Sequence, residues 1–575
     1  MLLLGTASLS SVPASGRSGT SSASTRWLHG PAPDLLFGCG GLYLLIFVAL
    51  ALSGPAAMTW LPEGLLPLLA IFVLAPHYGA TLVRVYEQRE SRRRYAFFAV
   101  GITALLVFGF SISLYHYALG SFLVTIYIDW NSWHYAGQNY GLAIMFLKRR
   151  GVLVTPMTKR LFYASFVLSS FLAIVAMNGV GPEALYGPSL PRDGAKSIGM
   201  AYRFMPLGIS DPIQGILMIA GLAAYGACVL TSLVLLMRRG TLADIAPALA
   251  LVFTQSLWFV VPVAARYWDL FGGFLPLSGR DSRYTFMWIA FGHGIQYLWV
   301  TSYYAKKAGS YPGTRRYLLR CLFAGSMIWN LPGLVVVSLA IGSVAYTEGV
   351  ALLLAAVVNL HHFVLDGAIW KLRDDGIGRV LLRALSQPRA GVASDERARW
   401  GLRAGLAVLG CLSLGLSLTD MWEREFGFRR AGKSGDVERM EQAALRLDWI
   451  GRGDASQRRR LALLARSRGD DDKALSELER SLAISNHPKA HFEKGHILAD
   501  RGDWRGAALS YEAAYAIDDY PLKLIHKLAN ASLGIGRPAR AQEVLIEGLR
   551  HHPRHPVLVK QLREANRQLS AAAAD

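Results

Sequence analysis

Fourteen histidines are present, and six of them, His77, His116, His134, His293, His361 and His362, stand inside long apolar runs. Neutral imidazole is a ligand for iron, copper and zinc, and ionisable groups within apolar spans are costly enough to mark functional sites. The other eight, His29, His487, His491, His496, His526, His551, His552 and His555, lie in polar segments and read as surface residues. The basic residues that follow the apolar runs serve as a depth marker. His77 precedes Arg89 by 12 residues, His134 precedes Lys148 by 14, His293 precedes Lys306 by 13 and His361 precedes Lys371 by 10. At a helical rise of 1.5 Å per residue these are depths of about 15–21 Å. Four helices running in the same sense therefore bring histidines into one layer about 6 Å thick. His116, 22 residues beyond Arg94, falls about 33 Å away by the same rise, near the opposite surface.

The neighbourhoods of these histidines are polar on one face. In DWNSWHYAGQNYG (129–141) Gln138 follows His134 by four, with Asn139 beside it; in FGHGIQYLW, Gln296 follows His293 by three. In NLHHFVLDGAIW, Asn359 precedes His362 by three and Asp366 follows it by four. Such spacings place an amide or carboxylate beside each imidazole, the arrangement that holds the ring of a metal-bound histidine in place. The expected ligands are His77, His134, His293 and His361 or His362, oriented by Gln138, Asn139, Gln296, Asn359 and Asp366. Adjacent His361 and His362 point about 100° apart, so both ligate only with two metals or a distorted helix. Gly79, Gly137, Gly141, Gly292, Gly294 and Gly367 are expected to let the helices approach closely. Iron is the expected metal, with copper or zinc as alternatives. Hydrogen bonding of the histidines across helices, without any metal, is the competing account.

The elements that must hold these residues are membrane spans. The chain has 575 residues, 53% hydrophobic and only 17% charged, with a mean hydropathy of +0.30; soluble proteins carry about 25% charged residues. Apolar runs near 35–54, 64–86, 95–116, 119–147, 160–178, 212–237, 243–265, 284–305, 318–343, 349–370 and 401–419 predict about eleven spans of the roughly 20 residues a bilayer requires. The fourth run is long and polar in its middle, which leaves room for a break. The net charge of +20 is concentrated here: 36 Lys/Arg face 20 Asp/Glu in the first 430 residues, against 24 and 20 beyond. Basic clusters follow alternate spans, at Arg89–Arg94, Lys148–Arg150, Arg238–Arg239, Lys306–Lys307 and Lys371–Arg373, and mark cytoplasmic loops. This placement excludes nucleic acid as the partner. Residues 1–33 read as a disordered cytoplasmic tail, 34–420 as the membrane domain and 421–434 as a linker. Cys39, Cys228, Cys321 and Cys411 are isolated in apolar runs and read as core residues.

The C-terminal part is different. Gly435-Asp436, Gly469-Asp470, Gly502-Asp503 and Gly536 recur at intervals of 34, 33 and 34, and Met440, Ala474, Ala507 and Ala541 stand five beyond each glycine. This period, with Gly495, Tyr511 and Ala514 in the clearest unit, resembles the tetratricopeptide repeat. The resemblance implies an all-α solenoid over 435–570 that takes a protein or peptide partner.

The histidines spread over several spans, including HYG at 77–79 and NLHHF at 359–363, resemble those of the Brp/Blh-type carotenoid-cleaving membrane oxygenases. That resemblance implies an iron-dependent oxidative activity on a lipid-soluble, isoprenoid- or lipid-like substrate, with His77, His134, His293 and His361 or His362 as ligands. The aromatic stripe Tyr127, Trp130, Trp133, Tyr135 and Tyr140 would suit a flat apolar molecule. No phosphate-binding GxxxxGK[ST] loop, HExxH or GxSxG is present. Two alternatives remain at this point: a non-catalytic scaffold or assembly factor acting through the repeats, and a multi-span glycosyl or lipid transferase. The second would need acidic residues in the first outer loop, where only Glu63 stands. An odd number of spans places the repeats outside, in the periplasm if the membrane is a bacterial inner membrane.

Overall fold

The computed structural model describes residues 26–53, 62–86, 93–179, 202, 204–268, 282–308, 313–341, 348–372, 375–383, 396–517 and 522–572. Among these, every named element is helical, and the one β-bridge, Gly179 to Ile209, is isolated. After a short helical segment at Pro31–Gly38, the longer helices are α1 (Gly41–Ser53), α2 (Leu65–Tyr86), α3 (Phe97–Ser113), α4 (Tyr117–Arg149), α5 (Pro156–Met177), α6 (Asp211–Met237), α7 (Leu242–Ala265), α8 (Ser282–Lys307), α9 (Thr314–Ile341) and α10 (Glu348–Ile369). A short α11 (Asp375–Arg383) and α12 (Glu396–Trp422) follow. The described parts of all eleven apolar runs are thus mainly helical, the first bent between Gly38 and Gly41. Among the described residues six helices are long and apolar enough to cross a membrane, or seven when the bent pair Pro31–Gly38 and Gly41–Ser53 counts as one span. Helices α4 and α8 match them in length, at 33 and 26 residues, but they carry the polar motifs around His134 and His293. The expected break in α4 does not occur. Asn131 and Asn139 turn inward, and Asn139 Nδ2 donates to Gln255 Oε1 at 2.8 Å.

Close packing is localised. A Cβ on Gly79 of α2 would stand 1.8 Å from the Cys321 carbonyl oxygen, and one on Gly325 of α9 would stand 1.8 Å from that of Ala75. These two glycines let α2 and α9 cross backbone to backbone. A turn of π-helix, Ala70–Leu74, precedes His77 in α2; Pro76 supplies no amide to the helix there, and a wider turn accommodates the missing donor. Outward-facing Ile216, Ile219 and Leu230 leave α6 apolar on its exposed side. Cys411 is exposed on α12, so of the four cysteines it departs from the expected core role.

One end of the bundle is closed by the chain before α1. Arg149 donates to the carbonyl oxygens of Leu381 at 2.8 Å and Trp27 at 2.7 Å, and Arg26 pairs with Asp244. Residues 26–33 are therefore packed, and the expectation of a free tail is narrowed to 1–25, which lie outside the described residues. At the other end Lys433 pairs with Glu63 at 2.6 Å.

The expected linker at 421–434 is helix. The stretch Arg403–Ser434 is continuous, its turns held by the ion pairs Arg424–Asp420 at 2.8 Å and Arg429–Glu425, and Phe428 and Ala431 are buried against Val437 and Met440. Beyond it run α13 (Val437–Trp449), α14 (Ala455–Ser467), α15 (Asp471–Ile484), α16 (Pro488–Asp500), α17 (Trp504–Ile517), α18 (Leu522–Gly534), α19 (Pro538–His551) and α20 (Pro556–Ala572), each packed on the next. The Gly-Asp recurrence has a local cause. Gly435, Gly469, Gly502 and Gly536 have φ of 74°, 80°, 82° and 71° and end helices, a conformation that favours glycine. Asp436 and Asp470 then cap the next helix by accepting from backbone amides at 3.0 Å. Arg452 donates to Asn330 Oδ1 of α9 at 2.7 Å and Arg424 to Asp454 at 2.7 Å, which fixes the array to the bundle.

A cap of α16 gives the array a pH dependence. His487 Nδ1 accepts the Ala490 amide at 3.3 Å while Nε2 meets Ser481 Oγ at 3.2 Å, so the ring must be neutral. Burial pushes its pKa down to about 4. The unfolded chain, near the ordinary imidazole pKa of about 6.5, then binds a proton that the folded chain does not. Stability of this segment is expected to fall as pH drops from about 6.5 to about 4. Hydrogen exchange of residues 488–500, corrected for intrinsic rate, should show the loss in wild type. In His487→Asn, which caps without titrating, the pH dependence should be smaller, the remainder coming from His491, whose pKa burial also lowers.

Candidate metal centre

Four of the expected histidines meet. His77 of α2, His134 of α4, His293 of α8 and His362 of α10 each offer a ligand nitrogen, and these nitrogens lie within 4.8 Å of one another. The rings close a circuit, with centroids 4.8 Å apart for His77–His293, 4.9 Å for His293–His134, 5.1 Å for His134–His362 and 4.3 Å for His362–His77. Aromatic walls hold the circuit: Tyr135 stacks on His293 at 4.1 Å and Phe363 on His134 at 4.3 Å. His77, His293 and His362 are each 2% exposed.

Their nitrogens are short of partners. Among the described residues His77 Nδ1, His134 Nε2, both nitrogens of His293 and His362 Nε2 are buried with no hydrogen bond. An unpaired buried polar group costs about 1–3 kcal/mol. Five of them together cost on the order of the whole net stability of a domain, about 5–15 kcal/mol. A cation shared between the lone pairs offsets that cost, so the donor set fits a transition-metal ion that accepts imidazole.

Residues one turn further along the same helices converge as well, which requires the four helices to run in the same sense. These are Thr81, Gln138, Tyr297 and Asp366, each four positions beyond its histidine. Thr81 Oγ1 and Tyr297 Oη donate to Asp366 Oδ1 at 2.8 and 2.6 Å, and Trp370 Nε1 donates to Tyr297 Oη at 2.9 Å. Because the Thr81 hydroxyl proton goes to Asp366, His362 Nδ1 donates to Thr81 Oγ1 at 3.0 Å. That chain sets the tautomer of His362: Nδ1 holds the proton and Nε2 keeps its lone pair. Asp366 Oδ2 stands 3.4 Å from this Nε2.

Of the five expected orienting residues, Asp366 alone reaches the circuit through its side chain. Gln138 Nε2 donates to the His293 carbonyl oxygen at 3.2 Å and to Gln296 Oε1 at 3.0 Å, and Gln296 Nε2 donates to the Gly38 carbonyl oxygen at 3.1 Å. These amides tie α4, α8 and the chain before α1 together below the rings. Asn139 faces Gln255, and Asn359 accepts from Tyr78 Oη at 2.7 Å. His361 turns away from the circuit, its Nε2 3.0 Å from Thr103 Oγ1 and 3.2 Å from Tyr86 Oη. The 100° between successive helical residues separates it from His362. His116 is exposed at the start of α4. Thr81, Tyr297 and Trp370 were not anticipated. The signal that bears on Thr81 and Tyr297 is the spacing of four after each histidine, although Gln296, at three, shares the same helical face as Tyr297.

A cavity of about 330 Å³ adjoins the circuit between α4, α5, α8, α10 and α11. His134, Gln138, Tyr297 and Asp366 are polar groups on its wall, and Trp130, Trp133, Phe363 and Trp370 supply its aromatic surface. The expected aromatic stripe is thereby divided. Trp130 and Trp133 face the cavity, Tyr135 braces His293, and Tyr140 packs against Phe162, Tyr163 and Phe166.

Removing one hydroxyl tests how tightly this unit is coupled. Tyr297→Phe takes a donor from Asp366 and the acceptor from Trp370, and is expected to cost about 1–2 kcal/mol. His361→Gln, which keeps a hydrogen-bonding group toward Thr103, should cost less. Unfolding of the full chain in detergent micelles, compared between the two variants, checks the order.

No protein-family model matches this chain, and no curated protein is significantly similar to it in sequence. Its chemistry is therefore to be read from the four imidazoles and the residues that hold them.

Proposed function

We propose that the chain is an integral membrane metalloenzyme whose His77, His134, His293 and His362 hold one non-haem iron ion for oxidation of a lipid-soluble substrate. The observation that carries this reading is the convergence of four buried imidazoles with unpartnered nitrogens within 4.8 Å. Iron, when bound, supplies activation of dioxygen, which like the substrate concentrates in an apolar phase. The protein supplies the rest. Tyr135 and Phe363 fix the planes of two rings, and the Thr81–Asp366 chain fixes the tautomer of a third. The apolar wall of the cavity excludes water from the space beside His134. The likeness to Brp/Blh-type oxygenases belongs to this proposal, with His362 rather than His361 as the residue carried over.

The topology in this reading has eleven spans. The packed residues 26–30 and Arg149 share one end of the bundle, while Lys433 meets Glu63 at the other, as an odd number of crossings requires. Basic loops place the first end in the cytoplasm, and the C-terminal array then lies outside, in the periplasm of a bacterial inner membrane. We read that array as a tetratricopeptide-type solenoid that binds a protein or peptide partner. Its support is the helix-pair period and the contact of Gly495 with Tyr511, whose ring would stand 2.7 Å from a Cβ at that glycine.

Metal analysis of purified full-length protein, reconstituted with Fe(II) under anaerobic conditions, tests the reading. About one iron per chain is expected. Ala at His77, His134, His293 or His362 should reduce it at least tenfold, and His361→Ala should retain it. Absence of stoichiometric iron, or equal loss in His361→Ala, contradicts the proposal; stoichiometric copper or zinc instead would replace the oxidative chemistry.

A further inference from the structure

The glycines near the site are of two kinds. Gly79 and Gly325 sit where a Cβ would collide with a neighbouring backbone, but a Cβ on Gly137, Gly141 or Gly367 would meet nothing within 4 Å. These last three line the cavity beside His134. Gly137 and Gly141 are one helical turn apart on α4, and Gly367 adjoins Asp366 on α10. Glycine inside a helix is unfavourable relative to alanine, and no close contact at these positions accounts for it. What the three missing side chains provide is width.

The cavity also has a direction. Gly137, Gly367, Trp133 and Tyr163 are exposed at the side of the bundle, the second on α10 and the last on α5, both candidate spans, the others on α4, which matches them in length. His134, Tyr297 and Asp366 mark its inner end. No Lys or Arg lines it, and its one acid, Asp366, is already held by Thr81 and Tyr297. A carboxylate or phosphate head group would find no counter-charge there. The volume of about 330 Å³ falls within the range of small-molecule sites.

We infer that Gly137, Gly141 and Gly367 form a lateral slot through which an uncharged, extended apolar molecule enters from the bilayer and reaches the edge of the His134 ring. The three glycines set the width of molecule admitted. The inference deepens the proposed function, since it names the substrate class of the same centre, but its test needs no metal.

The experiment uses metal-free, full-length protein in lipid nanodiscs and a long-chain alcohol bearing a mid-chain diazirine. On illumination, peptides spanning 130–145 and 363–372 should be labelled, and excess hexadecanol should suppress that labelling at least tenfold. Labelling of the outward face of α6 around Ile216 and Ile219 should not saturate. Gly137→Leu combined with Gly367→Leu should lower slot labelling at least tenfold and leave α6 labelling unchanged. Gly137→Ala and Gly367→Ala give a second reading should the larger side chains disturb folding. They should reduce labelling in steps with melting temperature unchanged or raised, because alanine favours helix and has room. The matching diazirine fatty acid, ionised at pH 8, should label the slot at least tenfold less.

Slot labelling that hexadecanol does not suppress, that survives the leucine variants, or that is equal for the fatty acid would overturn the inference. So would a fall in melting temperature in the alanine variants, the sign of a packing role. Slot labelling in a protein that binds no iron would sink the metalloenzyme reading alone, and iron binding without slot labelling would sink the slot alone.

Discussion

The interior of this bundle is built around a cost that its own side chains do not cover. Four imidazoles from four helices are brought together in an apolar layer, and five of their nitrogens are without a hydrogen-bond partner among the described residues. Burial of a polar group is tolerated when it is paired. Much of the nearby architecture holds this unfavourable arrangement in place. The Gly79–Gly325 crossing sets the position of α2, stacking of Tyr135 and Phe363 sets the ring planes, and the Gln138–Gln296 pair joins α4 to α8. A bundle with no use for the cluster would gain stability by filling these positions with apolar residues of similar volume.

The polar groups one turn below the rings divide the labour. Thr81, Tyr297, Asp366 and Trp370 form a saturated unit that keeps a carboxylate 3.4 Å from His362 Nε2. The two glutamines are saturated by backbone and by each other, and act as struts. The imidazoles are the unsatisfied layer, and the cavity meets that layer at His134 alone. One ring edge facing an apolar space, with three rings behind it, is the geometry of a centre approached from one side.

Much of this arrangement was legible in the chain. Histidine depth can be read wherever a basic loop marks the end of a span, and so His77, His134, His293 and the pair His361–His362 stand out in the sequence. The pair His361 and His362 could not be resolved, because neighbours on a helix face different partners and only packing reveals which side is interior. Gln296 and Tyr297 pose a related problem: spacings of three and four both share a helical face, and a 3.6-residue turn alone does not choose between them. The glycines look alike in sequence, whereas close approach and open space differ only in what the neighbouring helix presents. Residues 421–434 read as a linker because their charges interrupt the apolar run; in the structure those charges pair along and between helices, and the helix continues to Ser434. The 34-residue recurrence was plain because it rests on two local rules, a glycine in the left-handed region and an aspartate cap, that act within a few residues.

X-ray absorption spectroscopy at the iron edge of the reconstituted full-length protein tests the centre most directly. Four imidazoles on one ion predict a first shell of nitrogen or oxygen at about 2.0–2.2 Å, with the outer-shell scattering of three to four imidazole rings. That outer-shell signal should be unchanged in His361→Ala, which retains the iron. A spectrum with sulfur ligation, a porphyrin pattern, or fewer than two imidazoles would contradict the four-histidine centre.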